Sequence, residues 1–152
     1  MVSKFRFPPL IMVFVFCCLM GMANMYLPHY ENYFSFRLVV ASFFVVMGVL
    51  FVALGAIQFK SNKTTITPYT PEASTTLVKT GIYAISRNPM YVGFAFILIG
   101  SACVFSNLVS LNLILIFVLY MNYVQIPAEE KALISVFGES YIKYKDQAPR
   151  WL

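Results

Sequence analysis

The chain is 152 residues long, 60% hydrophobic and only 11% charged, far below the roughly 25% charged residues of a soluble domain. A water-soluble core of this size cannot hide that much apolar surface, so a single membrane-embedded domain over 1–152 is predicted. The net charge of +5 is spread around the apolar runs, which points to anionic lipid and away from nucleic acid.

In chain order, a basic start leads into an apolar run near Pro8 to Leu27. This outline resembles a signal peptide, but the segment is read as a retained first helix. Cys17 and Cys18 lie in that run and Cys103 in a later one. With no Cys-x-x-Cys and only His29, they are read as apolar-environment side chains and no metal site is predicted. The turn PHYENYFS leads to a second run near Phe36 to Phe59, where Gly48 and Gly55 share one face. A long polar loop follows, rich in Thr, Ser and Pro, whose end, LVKTGIYAISR, carries apolar and aromatic residues of its own.

A third run extends near Pro89 to Phe105, with Gly93 and Gly100 on one face, and a fourth near Leu108 to Ile126. Backbone groups in lipid must pair within their own segment, so all four runs are predicted helical. Small residues allow close helix contact in membranes, which is the expected use of both glycine pairs. Ser106-Asn107 leaves room only for a tight antiparallel hairpin between helices three and four. The tail opens at Pro127, a favourable first-turn residue. That places Glu129 and Glu130 where a helix dipole favours anions. Leu133, Val136, Phe137, Ser140, Tyr141 and Tyr144 then form a mostly apolar stripe, with Gly138 as a potential break. The fold class is therefore all-α: four transmembrane helices and a cytoplasmic, amphipathic helical tail.

Charge sets the topology. Lys4 and Arg6 precede the first helix, Lys60, Lys63, Lys79 and Arg87 occupy the long loop, and Lys131, Lys143, Lys145 and Arg150 the tail; the other two loops hold Arg37 and His29. By the positive-inside rule both termini are cytoplasmic, in the inner membrane if the source is bacterial.

Three polar features then meet on the cytoplasmic side: GIYAISRNPMYVG with Arg87 at its centre, the pair Glu129-Glu130, and the tail YIKYKDQAPRWL. The hairpin brings Arg87 and the acidic pair to one membrane face. The bland alternative is that Arg87 is a topology anchor, Glu130 a helix-start acid, and Trp151, Tyr141 and Tyr144 interfacial aromatics.

Arg87-Asn88-Pro89-Met90-Tyr91-Val92-Gly93, then Glu129-Glu130, then Phe137-Gly138-Glu139-Ser140-Tyr141-Ile142-Lys143-Tyr144 and Pro149-Arg150-Trp151 resemble the isoprenylcysteine carboxyl methyltransferase and phospholipid methyltransferase superfamily of membrane enzymes. The resemblance covers about Thr75 to Leu152, which it marks as the cofactor-binding region; the two helices of 1–60 match only as hydrophobic spans. It implies an S-adenosylmethionine-dependent methyltransferase acting on a lipophilic acceptor drawn from the bilayer, either isoprenylcysteine-like or phospholipid-like. It also implies a cofactor site built from Tyr83, Arg87, Asn88, Tyr91, Gly93, Glu129, Glu130, Tyr141 and Tyr144, with Arg87 and Glu130 closest to the chemistry. Arg87 would take the methionine carboxylate through its fork, Glu129 or Glu130 the ammonium or a ribose hydroxyl, and the tyrosines the adenine face. Many members carry His where this chain has Asn88, which hydrogen-bonds but does not titrate near neutral pH. Two other readings compete: a nicotinamide-dependent membrane reductase, for which the chain is short, and a non-enzymatic four-helix transporter or assembly subunit. The latter normally needs charges inside its spans, and the four runs carry them only at their margins.

Overall fold

A computed structural model describes residues 7–28, 33–61 and 76–152. Lys4, Arg6, His29, Lys63 and most of the long loop lie outside the described residues. The elements are α1 (Pro9–Tyr26), α2 (Phe34–Ser61), a short 3-10 turn (Gly81–Ala84), α3 (Pro89–Phe105), α4 (Leu108–Tyr120), α5 (Ile126–Phe137) and α6 (Glu139–Gln147). No strand occurs among the described residues, as the all-α reading requires.

Among the described residues, three helices are long and apolar enough to cross a membrane: Pro9–Tyr26, Phe34–Ser61 and the continuous run Leu108–Phe137. The fourth expected span, α3, is equally apolar but has 17 residues. At 1.5 Å per residue it measures about 26 Å, short of the ~30 Å hydrocarbon core. It is the central helix, touched by α1, α2 and α4, and none of its residues is fully exposed. The other helices turn many large apolar side chains outward, Phe14, Phe43 and Leu115 among them.

The α2–α3 contact is the most extensive among the described helices, and glycine lets the two backbones approach closely. A Cβ added at Gly93 would lie 2.6 Å from the Gly48 carbonyl oxygen, and one at Gly48 would lie 2.6 Å from that of Gly93. One at Gly100 would meet the Ala41 carbonyl oxygen at 2.9 Å. Gly48, Gly93 and Gly100 thus serve helix packing against partner backbone, while Gly55 lies against the Met90 side chain, 2.7 Å from an added Cβ.

The α3–α4 hairpin is as tight as its two-residue connection requires. Ser106 adopts a left-handed conformation (φ 46°), its N–H donating to the Ala102 carbonyl, and ends α3. Asn107 starts α4, its Oδ1 accepting from the Ser110 N–H at 2.9 Å.

The tail differs from expectation. Pro127 does not begin a separate helix; α4 runs on into α5 through one widened π-helical turn, Met121–Gln125. Proline has no N–H to give and crowds the carbonyl four residues back. The ladder yields by one residue, with the Ile126 N–H donating to the Met121 carbonyl. Glu129 and Glu130 therefore sit inside a continuous helix, and the free N-terminal dipole expected to favour them does not exist. Gly138 does break the chain, with φ 53° and ψ −129° between α5 and α6. Beyond it, Tyr141, Tyr144 and Ala148 pack with Val78 and Tyr83 into a second apolar cluster at the α2 C-terminal end, against Phe59.

Candidate functional site

The site is assembled by the tail returning to the start of α3. The Arg87 N–H donates to the Pro149 carbonyl at 2.9 Å, and Arg87 Nε to the Ala148 carbonyl at 2.9 Å. Asn88 Nδ2 donates to the Arg150 carbonyl at 2.9 Å, and the Asn88 N–H to Ser86 Oγ at 3.1 Å. Asn88 thus does not cap α3 with its side chain; it ties the tail down, a task amide donors perform without titrating.

Glu130 is the hub of this arrangement. Arg87 Nη1 reaches Glu130 Oε1 at 2.7 Å, Arg150 Nη2 reaches Oε2 at 3.0 Å, and Lys145 Nζ lies 3.4 Å from Oε2. Arg150 also donates through Nε to Oε1 at 3.2 Å and through Nη1 to Asn122 Oδ1 at 3.0 Å. Trp151 packs against the main apolar core and approaches the same Asn122 oxygen at 3.5 Å. The Arg87 and Glu130 side chains are 9% and 8% exposed, against 30% for Arg150 and 32% for Lys145. The first pair is thus a buried ion pair; the other two cations are at the rim.

Glu129, one residue earlier, points to different company. Its Oε1 accepts from the Tyr91 hydroxyl at 2.6 Å and from Gln125 Nε2 at 2.5 Å. Tyr91 belongs to the first turn of α3 and Gln125 to the π-helical turn, so this contact also bridges the hairpin.

Three further tyrosines, Tyr83, Tyr141 and Tyr144, pack in the apolar cluster beside the site. The Tyr144 hydroxyl donates to the Tyr83 carbonyl at 2.6 Å, and Tyr83 presents its ring edge-on to Phe59. Burial pushes the Tyr141 hydroxyl up to about 12; the Glu130 charge adds to this and Arg87 opposes it. Burial likewise raises Tyr83 and Tyr144 well above the ordinary tyrosine value, each helped by a neighbouring tyrosine. All three are neutral hydroxyls at working pH.

Of the residues expected in the site, the structure brings Arg87, Asn88, Tyr91, Glu129 and Glu130 together, with Tyr141 beside Arg87 and Glu130. Tyr83 and Tyr144 belong to the adjoining aromatic cluster. Gly93 stands apart, its Cα against the α2 backbone. Residues absent from the expected set are Ser86, Asn122, Gln125, Lys145 and Arg150. Asn122 and Gln125 had a readable signal: with Glu129 they form a polar series at spacings of three and four within an apolar run, one face of a helix.

Residues 36–140 match the family model for phospholipid methyltransferase. The chain belongs to the phospholipid methyltransferase family. The match takes in α2, earlier than the Thr75 start seen from the motifs. Among curated relatives of this phospholipid methyltransferase family chain, the protein-S-isoprenylcysteine O-methyltransferase of Saccharomyces cerevisiae is 44% identical over 77 residues, 50% of this chain and 32% of the yeast protein. That of Schizosaccharomyces pombe is 42% identical over 74 residues, 48% of this chain and 31% of its own length. The human protein of the same name is 30% identical over 129 residues, 80% of this chain and 45% of its own. The chain thus spans less than half the length of each of these three relatives. No solved structure gives a significant match.

Proposed function

We propose that the chain is an integral-membrane methyltransferase that uses S-adenosylmethionine to methylate a lipophilic acceptor entering from the bilayer. The observation that carries this reading is the meeting of Arg87, Tyr91, Glu129 and Glu130 at one end of the α3–α4 hairpin, inside the family-matched region. In this proposal α3 is the fourth span, and the end bearing Lys60, Lys79, Arg87, Lys131 and Arg150 faces the cytoplasm, with both termini.

The residues fit a zwitterionic cofactor. Carboxylates and cations stand side by side, and the Gln125 Oε1 acceptor is buried with no partner. Glu129 would hold the ammonium end, and the rim cations Arg150 and Lys145 would offer the carboxylate partners without breaking the Arg87–Glu130 pair. Arg87 and Glu130, which the resemblance implies as direct ligands, would then act largely by holding the tail against the start of α3. Tyr91 would offer an aromatic face to the cationic sulfur, and Tyr83, Tyr141 and Tyr144 would offer theirs to the adenine. When bound, the cofactor supplies a methyl group on a cationic sulfur, an electrophile ready for in-line displacement. The chain's part is to orient donor and acceptor and exclude water. An amine acceptor arrives protonated and must lose a proton, for which Glu129 is the candidate base.

Isothermal titration of the detergent-solubilised chain with S-adenosylhomocysteine tests the reading, together with transfer of a labelled methyl group from S-adenosylmethionine into a lipid extract. Saturable binding and a labelled lipid are expected; no binding at millimolar ligand to folded protein would overturn it.

A further inference from the structure

We infer that Gln125 is a ligand-binding residue whose side-chain carbonyl, next to Glu129, accepts a hydrogen bond from a protonated amine. The inference rests on the methyltransferase reading and adds to it a residue outside the expected site.

Gln125 is completely buried, at the end of the widened turn between α4 and α5. Its Nε2 donates to Glu129 Oε1. A carboxylate oxygen only accepts, so the amide nitrogen must face Glu129 and the carbonyl must face elsewhere. That carbonyl, Oε1, is buried without a partner. Buried polar atoms are almost always paired, and an exception calls for an explanation. Holding Glu129 does not supply one: the Tyr91 hydroxyl already fixes the same carboxylate oxygen, and an apolar side chain of similar volume would fill the position without an orphan. Widened helical turns are frequent at functional sites, and this one sets Gln125 one turn before Glu129 on the same face.

The chemistry of the missing partner follows from what surrounds it. Tyr91 and Gln125 Nε2 are both spent on Glu129 Oε1, so the partner must itself donate. A carbonyl one turn from a carboxylate favours a donor that is positively charged and carries several N–H groups, which is an ammonium. Gln125 stands where the apolar run of α4 ends, the level at which the proposed reading has a soluble cofactor and a bilayer lipid meet. The ammonium can thus come from the amino-acid end of the methyl donor or from the headgroup of an amine-bearing lipid.

The test uses the full chain in detergent, with Gln125→Leu and Gln125→Met. Affinities are measured for S-adenosylhomocysteine and for 5′-methylthioadenosine, which lacks the ammonium. They are also measured for short-chain phosphatidylethanolamine and for phosphatidylcholine, whose nitrogen has no N–H. If the cofactor supplies the ammonium, both variants bind S-adenosylhomocysteine about tenfold more weakly and 5′-methylthioadenosine within twofold of the parent. If the lipid supplies it, S-adenosylhomocysteine binding is unchanged, and the selective tenfold loss falls on phosphatidylethanolamine against phosphatidylcholine. Either result supports the inference. Unchanged affinity throughout, or equal loss within both pairs, overturns it. A lower ligand-free melting temperature in both variants, or failure of both to fold, marks a structural role and also overturns it. Parent protein that binds no S-adenosylhomocysteine would instead remove the methyltransferase reading, and the inference with it.

Discussion

Arg87 and Glu130, 43 residues apart in sequence, meet at 2.7 Å with both side chains less than a tenth exposed. The pair joins the start of α3 to α5. Breaking a buried pair by removing one partner costs about 3–5 kcal/mol, because the surviving charge stays buried and alone. Glu130→Ala is therefore expected to unfold more readily by that amount, and Arg87→Met comparably. The double variant Arg87→Met/Glu130→Leu should recover part of the loss. Equilibrium unfolding in mixed detergent micelles reads all three; a double variant no better than the sum of the singles would refute the pairing.

The three cations on Glu130 are not equal. Lys145 is a third exposed and its nitrogen stands 3.4 Å away, so Lys145→Met should cost no more than about 1 kcal/mol. Arg150 makes two bonds to Glu130 and two more to Asn122. Charge-assisted bonds contribute about 1.5–3 kcal/mol each before discounting for exposure, so Arg150→Met should cost about 2 kcal/mol and loosen residues 148–152. Limited proteolysis at the tail, compared between the two variants, gives the ranking directly.

The α2–α3 contact makes a steric prediction. Alanine at Gly93 would drive a methyl group to 2.6 Å from the Gly48 carbonyl oxygen and 3.0 Å from the Val52 nitrogen. These are backbone atoms and cannot swing aside, so the helices must separate. Gly93→Ala and Gly48→Ala are each expected to destabilise by about 1–3 kcal/mol, the range for overpacked cores. Alanine at Gly21 meets only the Phe105 ring, at 3.5 Å, and should be close to neutral. Melting temperatures of the three variants in one detergent test the contrast.

These contacts also mark how far the sequence could be read. The apolar runs, the glycine faces and the two-residue hairpin were legible because length, composition and spacing act locally. Arg87 and Glu129-Glu130 were brought to one face by the hairpin reading, while Asn88 and Tyr91 joined the set through the family resemblance. The course of the chain at Pro127 was not legible, since the same residue suits a first turn and a widened interior turn. Which one forms depends on whether α4 can continue, a matter of packing against α3. Asn122 and Gln125 carried the polar spacing with Glu129 as a signal, but their partners, Arg150 and Glu129, follow only once the widened turn and the tail are placed. Arg150 lies far along the chain and reaches Glu130 only because the tail folds back.

Tyr141 gives an alkaline signature. Its hydroxyl is raised from the ordinary 10.0 to about 12, first by burial and then by the Glu130 charge. A phenol whose folded value exceeds its unfolded one contributes stability that is complete below pH 10. It is lost as pH rises towards 12, where the folded hydroxyl also ionises. Tyr141→Phe should flatten this part of the stability curve while leaving the neutral region in place. An unchanged alkaline slope would assign the loss to other groups.

Pro127 offers the sharpest test of how the site is shaped. It leaves the fold with a widened turn in which the Ile126 N–H reaches back five residues, to Met121. Pro127→Ala restores an N–H and removes the ring that crowds the carbonyl four residues earlier. The regular ladder then competes, and closing the extra residue would turn Gln125 and Asn122 by about 100° relative to Glu129 and Glu130, one residue's rotation at 3.6 per turn. Stability should rise or hold, because an interior proline carries a helix penalty of about 3 kcal/mol. Binding of S-adenosylhomocysteine should fall, since Gln125 no longer meets Glu129 and Asn122 no longer meets Arg150. A variant that is more stable and binds more weakly would identify the turn as a feature kept for the site. A variant that loses both would mean that Pro127 serves only the helix.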